Sequence, residues 1–192
     1  MTEIDQVQLD FGGFGVNAYV VHAPEGDIVV DAGAEPEKIL AQTVQPVVAI
    51  LLTHGHPDHV GALDAVRERT GAPVHAHPED AESAGVGDYE PLGDGQDLVI
   101  AGVALHVIHT PGHSPGSVTF VVGSDQVVGD LVLPGSVGRT DLPGASWPEI
   151  ETSLRKVMPL WEPGTRLYAG HGPVFSAEEE VSSNPYLPPG IL

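Results

Sequence analysis

At 192 residues the chain has the length of one domain and enough sequence to bury a substantial core. It contains no cysteine, which excludes disulfides, thiolate metal sites and a cysteine nucleophile. Seven basic against 27 acidic residues give a formal net charge of -20, a surface that repels phosphate backbones and excludes nucleic acid as an expected partner. No stretch approaches the roughly 20 apolar residues of a membrane span. Residues 1–5 have neither the basic region nor the apolar core of a signal peptide, so a soluble, cytoplasmic protein is expected.

In chain order, residues 4–31 read as paired strands: 17–22 is strand-like, Ala23-Pro24-Glu25-Gly26 turns, and 27–31 returns. Gly12, Gly13 and Gly15 make a loop without a phosphate-binding fingerprint, because no helix follows. A short helix is expected from Glu35 to about Val44. Residues 47–52 form an apolar run, rich in β-branched residues and without alternation, which predicts a buried strand. Val60, Leu63 and Val66 recur at spacing three before Gly71, predicting a helix over about 60–70.

Between that strand and that helix stands Thr53-His54-Gly55-His56-Pro57-Asp58-His59. Four of these seven residues are good metal ligands, and imidazole with carboxylate suits zinc, and also iron or manganese. Loops at the carboxyl ends of strands are where α/β sheets build sites. His54 and His56, two apart on a turning backbone, can converge on one ion, while Asp58 and His59 can face a second.

Residues 72–77 read as a strand, in which His75 and His77 share a face but are not needed as ligands. Residues 78–84 read as one or two helical turns and 86–96 as a polar loop. Residues 98–100 and 103–109 pair across Ala101-Gly102, with Val103, Leu105 and Val107 alternating against Ala104, His106 and Ile108 as in a half-buried strand. In the rigid loop Thr110-Pro111-Gly112-His113-Ser114-Pro115-Gly116-Ser117, His113 is the natural third ligand of the first ion, and His106 and His109 read as strand residues. Two strands follow, 118–122 and 126–130, and Asp130 at the second's end can bridge two ions with one oxygen to each. Residues 133–146 read as a loop carrying Gly138-Arg139-Thr140-Asp141. Ser146-Trp147-Pro148-Glu149 has the pattern of a capping box, opening a helix with the stripe Ile150, Leu154, Val157, Met158 and with Arg155 and Lys156 in its last turn. A last strand, 166–170, leads to His171, the last expected ligand, and 176–192 reads as a turn of helix and a tail.

His54, His56 and His113 would then hold one ion and Asp58, His59 and His171 the other, with Asp130 between them. Two ions about 3.5–4 Å apart share a water, bring its pKa toward neutrality, and stabilise an oxyanion or a leaving thiolate. Asp58 can also orient the bridging hydroxide, so no protein nucleophile is needed. A structural zinc site closes with four protein ligands, so seven favour an enzyme over a scaffold.

His-x-His-x-Asp-His after an apolar strand resembles the metallo-β-lactamase-fold hydrolase superfamily. Residues 53–59, 110–117, Gly129-Asp130, 138–141 and Gly170-His171-Gly172-Pro173 resemble, in order and spacing, its small glyoxalase II-like (hydroxyacylglutathione hydrolase-like) branch over nearly the whole chain. The resemblance implies an α/β fold, a four-layer αββα sandwich with the metal site at one edge of its two sheets. It implies two divalent ions, zinc first and iron or manganese as alternatives, and hydrolysis of a small-molecule thioester, with S-lactoylglutathione as the reference substrate. It also implies that Asp31, in Asp31-Ala32-Gly33, holds the metal loop, and it puts Arg139 where a basic residue meets a substrate carboxylate.

Full-length glyoxalase II adds a C-terminal helical domain that contacts glutathione. This chain ends about twenty residues after His171, so a single domain over residues 1–192 without that addition is expected. Asp141 and Pro173 stand in regions where the branch has tyrosines, and another thiol carrier fits as well as glutathione. The alternative is a persulfide dioxygenase of the same fold, with one iron on residues matching His54, His113 and Asp130. Lactonases and β-lactamases fit the Arg139-Thr140-Asp141 loop less well.

Overall fold

The computed structural model describes residues 2–189. The first half of the chain builds one sheet. Strands β1 (Glu3–Phe11) and β2 (Phe14–Ala23) form a hairpin across Gly12-Gly13, and β3 (Gly26–Val30) returns antiparallel to β2 across Pro24-Glu25. The chain then crosses over through helix α1 (Pro36–Leu40) to β4 (Val47–Leu51), parallel to β3. Helices α2 (Pro57–Val60) and α3 (Leu63–Thr70) lead to β5 (Val74–Ala76), and α4 (Pro78–Ala84) to the short β6 (Glu90–Pro91). The strand order is β1-β2-β3-β4-β5-β6.

The second half builds the other sheet. Strands β7 (Asp97–Ile100), β8 (Val103–His109), β9 (Val118–Val122) and β10 (Asp125–Gly129) run antiparallel in succession. A small hairpin, β11 (Val132–Leu133) with β12 (Ser136–Val137), precedes helix α5 (Trp147–Val157). Strand β13 (Arg166–Ala169) lies parallel to β10, and β14 (Phe175–Ser176) and α6 (Ala177–Ser183) finish the order β14-β13-β10-β9-β8-β7.

Successive side chains of a strand point to opposite faces, so a strand covered on both sides is apolar throughout. The core accordingly divides in three. Tyr19, Ile28, Val30 and Leu51 of the first sheet meet Leu105, Val107, Phe120 and Tyr168 of the second. Val20, Val29 and Ile50 face outward to Ile39, Leu63 and Val66 on the helices. Val128 and Leu167 face outward to Ile150, Leu154 and Val157. This is the helix-sheet-sheet-helix sandwich expected. No helix among the described residues is long and apolar enough to cross a membrane.

Several local expectations are corrected. The helix expected over 60–70 is two helices, because the backbone between them bonds to the segment after β3. Ala62 N donates to Ala32 O (2.8 Å) and Ala32 N to His59 O (2.9 Å). A Cβ on Gly61 would lie 2.6 Å from Gly33 O, so the approach requires glycine there. The helix expected from Glu35 ends at Leu40, Gly15 belongs to β2, and the 133–146 loop contains the β11–β12 hairpin. Ser146 stands at the N-cap of α5, but its side chain caps nothing. Pro148 removes the N–H at the second helical position, one of the two donors such a cap serves. The capping serine is Ser176, which accepts from Glu179 N at the start of α6.

Candidate metal centre

The candidate ligands come from the turns that follow four strands, β4, β8, β10 and β13. β4 delivers Thr53 and His54 beside Asp31, which follows β3 in the parallel neighbour. Asp31 Oδ1 accepts from Thr53 N (2.8 Å), and Oδ2 accepts from Thr53 Oγ1 (2.7 Å) and meets His59 Nδ1 at 2.8 Å. One carboxylate thus ties both ends of the His54–His59 loop to β3, and the turn of α2 that starts at Pro57 presents Asp58 and His59.

The donor atoms of His54, His56 and His113 lie within 4.8 Å of one another, and so do those of Asp58, His59 and His171. Asp130, just past β10, stands between the groups. Its Oδ2 is 3.3 Å from His113 Nε2 and 3.4 Å from His171 Nε2, and its Oδ1 is 3.7 Å from His59 Nε2. Asp58 Oδ2 is 3.3 Å from His171 Nε2. All seven predicted ligands therefore share one space at the sheet edge. Gly170 closes it, since a Cβ there would lie 2.5 Å from His59 Cε1.

The outer ring nitrogens are held by the protein. His54 Nδ1 meets Thr53 Oγ1 (3.0 Å), His113 Nδ1 meets the Arg139 carbonyl (2.9 Å), and His171 Nδ1 meets the Gly15 carbonyl (2.6 Å). Such contacts fix tautomer and ring orientation at metal sites. The inner atoms are left over. His54 Nε2, His59 Nε2 and Asp130 Oδ1 are buried without a hydrogen-bond partner. A buried polar atom left unpaired costs about 1–3 kcal/mol, so three in one space need an occupant. Imidazole nitrogen and carboxylate oxygen fit a divalent cation. Asp31 also lies near His54 and His59, but its oxygens are already engaged, which makes it an orienting group.

Charge follows the same geometry. Burial, then the neighbouring His59, holds His54 well below the usual imidazole value, and burial with His113 lowers His56. Burial opposes ionisation of Asp130, yet the His171 hydrogen bond and the surrounding imidazoles outweigh it and leave the carboxyl far below its ordinary range. Hydrogen bonds to Asp130 and Asp58 push His171 up to about 11. The carboxylates thus demand positive charge at the centre, which a cation supplies as well as a proton.

The sequence profile of the metallo-beta-lactamase superfamily matches residues 11–171, from the end of β1 through His171. The chain belongs to the metallo-β-lactamase superfamily. Within it, the probable metallo-hydrolase YqgX of Bacillus subtilis is 34% identical across 94% of this chain and 96% of its own length. The hydroxyacylglutathione hydrolase GloC of Haemophilus influenzae is 29% identical across 83% and 86%. Among solved structures, TTHA1623 in a di-iron-bound form is 39% identical with a TM-score of 0.81, covering 94% of this chain and 99% of its own. The B3 metallo-beta-lactamase BLEG-1 is 32% identical, with a TM-score of 0.84 over 96% and 99%. ETHE1 from Myxococcus xanthus is 25% identical, with a TM-score of 0.81 over 94% and 83%.

Sequence reasoning missed Asp80, a buried carboxylate on α4. Its Oδ2 accepts from Gly55 N (2.8 Å) and Ser114 Oγ (2.6 Å), and its Oδ1 accepts from Gly116 N (2.6 Å), so it clamps the His54–His59 loop to the His113 loop of this superfamily fold. Arg139 borders the centre, but its guanidinium is held by Asp141 through two bonds of 2.9 Å. Its contact with the centre is through its carbonyl, which orients His113. Outside the centre, His77 stacks on His109 with ring centroids 4.2 Å apart and Glu79 beside them. A cavity of about 530 Å³ opens over the centre, lined by His56, Asp58, His113, Asp130 and His171 among others.

Proposed function

We propose that this superfamily member hydrolyses a small-molecule thioester at a centre of two divalent ions. His54, His56 and His113 would hold one ion and Asp58, His59 and His171 the other, with Asp130 placed to serve both. One observation carries this reading: seven donor groups converge as two adjoining triads with Asp130 between them, and three buried donor atoms among the seven have no protein partner. Zinc suits the nitrogen-rich set. The likeness to GloC supports a thioester as substrate. When bound, divalent ions bring the pKa of water toward neutrality and polarise a carbonyl. The chain's own part is positional. Asp58, beside both His59 and His171, accepts a hydrogen bond from the attacking water and aims it. Asp31 and Thr53 keep His59 and His54 turned inward. A persulfide dioxygenase would need three of the donors, His54, His113 and Asp130, and would leave the other four, His56, Asp58, His59 and His171, without an ion to hold.

Steady-state assays of the purified enzyme against thioesters, a β-lactam and a persulfide test this reading. Thioester cleavage is expected to dominate and to fall by about a hundredfold or more in His56→Ala, in line with loss of an ion's ligand. Faster β-lactam cleavage, or oxygen uptake with the persulfide, would overturn it.

A further inference from the structure

We infer that the substrate's thiol carrier is uncharged, because the groove beside the centre rejects anionic carriers. The inference rests on the thioesterase reading and concerns the arm of the substrate beyond the scissile bond. A second hollow of about 830 Å³ adjoins the cavity over the centre, and His56, Pro57 and Pro143 line both. On this inference the acyl group sits over the centre and the carrier in the larger groove.

The walls of the groove specify what enters. Phe11, Val60 and Ala84 give it apolar surface, and the charged side chains that line it, Glu79, Asp80 and Glu82, are all carboxylates. Asp80 is consumed by its clamp. Glu79 and Glu82 are exposed and have no ion pair with Lys or Arg among the described residues.

The chain also has no spare cation to offset them. It contains seven Lys and Arg residues. Each is paired with a carboxylate of the chain itself: Lys38 with Glu35, Arg67 with Asp88, Arg69 with Glu37, Arg139 with Asp141, Arg155 with Glu151, Lys156 with Asp94 and Arg166 with Asp125. Arg139 alone among them lines either hollow, the one over the centre, and with its Nε and Nη2 held by Asp141 a carboxylate arriving at the guanidinium stays beside that negative charge. A carrier with two free carboxylates, as in glutathione, thus meets like charge in the groove and a guanidinium already neutralised by Asp141 at the centre. An uncharged carrier meets apolar surface and loses nothing.

The test compares kcat/KM of the metal-loaded enzyme for one acyl group on two matched carriers, glutathione and N-acetylglutathione diamide, which keeps the shape and removes the charges. The uncharged ester is expected to be preferred by about tenfold at low salt, the scale of a like-charge mismatch at a binding surface. The double variant Glu79→Gln with Glu82→Gln is expected to raise kcat/KM for the glutathione ester several-fold, to leave the uncharged ester unchanged, and to lose its advantage in high salt. Asp141→Asn, which frees Arg139, is expected to favour the glutathione ester further. Preference of the wild-type enzyme for the glutathione ester, or equal effects of the double variant on both esters, overturns the inference while leaving the thioesterase reading intact. Cleavage of neither ester overturns both.

Discussion

Asp80 holds two ligand loops that are far apart in sequence, and its partners Gly55, Ser114 and Gly116 lie 25, 34 and 36 residues away. Asp80→Ala leaves the Gly55 and Gly116 N–H groups unpaired and the Ser114 hydroxyl with Ser117 Oγ as its remaining partner. It is expected to lower stability by about 2–4 kcal/mol in urea titrations and metal affinity by about 10–100-fold in competition with a chelating dye. Nothing in Pro78-Glu79-Asp80 marks the third residue as the buried one, since both acids are ordinary first-turn residues of a helix. The seven candidate ligands were legible because their side chains announce their own chemistry and crowd into short motifs. Arg139 divides the two cases. Its place at the centre could be read from the motif, but the pairing with Asp141 and the carbonyl contact to His113 depend on backbone direction, which residue type does not encode.

Elements were legible where burial pattern alone decides them. The unbroken apolar run of β4 is what a strand between a helix layer and a second sheet requires, and the stripe on α5 packs as its spacing predicts. Leu154→Ala, in the middle of that stripe, is expected to cost about 2–5 kcal/mol by chemical denaturation, the usual range for a buried leucine. The break between α2 and α3 and the idle Ser146 escaped prediction because a tertiary contact and a missing proline N–H overrode local pattern. A pH effect belongs to this scale as well. His22 on β2 bridges Asp5 on β1 and Asp27 on β3 at 3.2 and 3.0 Å. Burial lowers its pKa, but the two carboxylates outweigh burial and raise it above the ordinary 6.5. A raised pKa means stabilisation that is fully present below the unfolded value and is lost as pH rises through the folded one. His22→Gln is therefore expected to lose more stability, relative to wild type, at about pH 5.5 than at about pH 8.5, measured by urea midpoints.

The whole molecule carries a net charge of -20 with every Lys and Arg already paired, so its remaining carboxylates repel one another. Raising salt from about 0.01 M to about 0.5 M is expected to raise the melting temperature by screening that repulsion, and a fall would show that the ion pairs dominate instead. The sandwich gathers the ends of four strands, two of them neighbours in the second sheet, at one edge, and it is this arrangement that lets residues from 54 to 171 share one space. Elemental analysis of protein purified without added metal tests that arrangement most directly. About two ions per chain are expected, zinc-rich and colourless, as two triads and a bridging carboxylate require. About one iron per chain, with oxygen consumption on a persulfide, would contradict it.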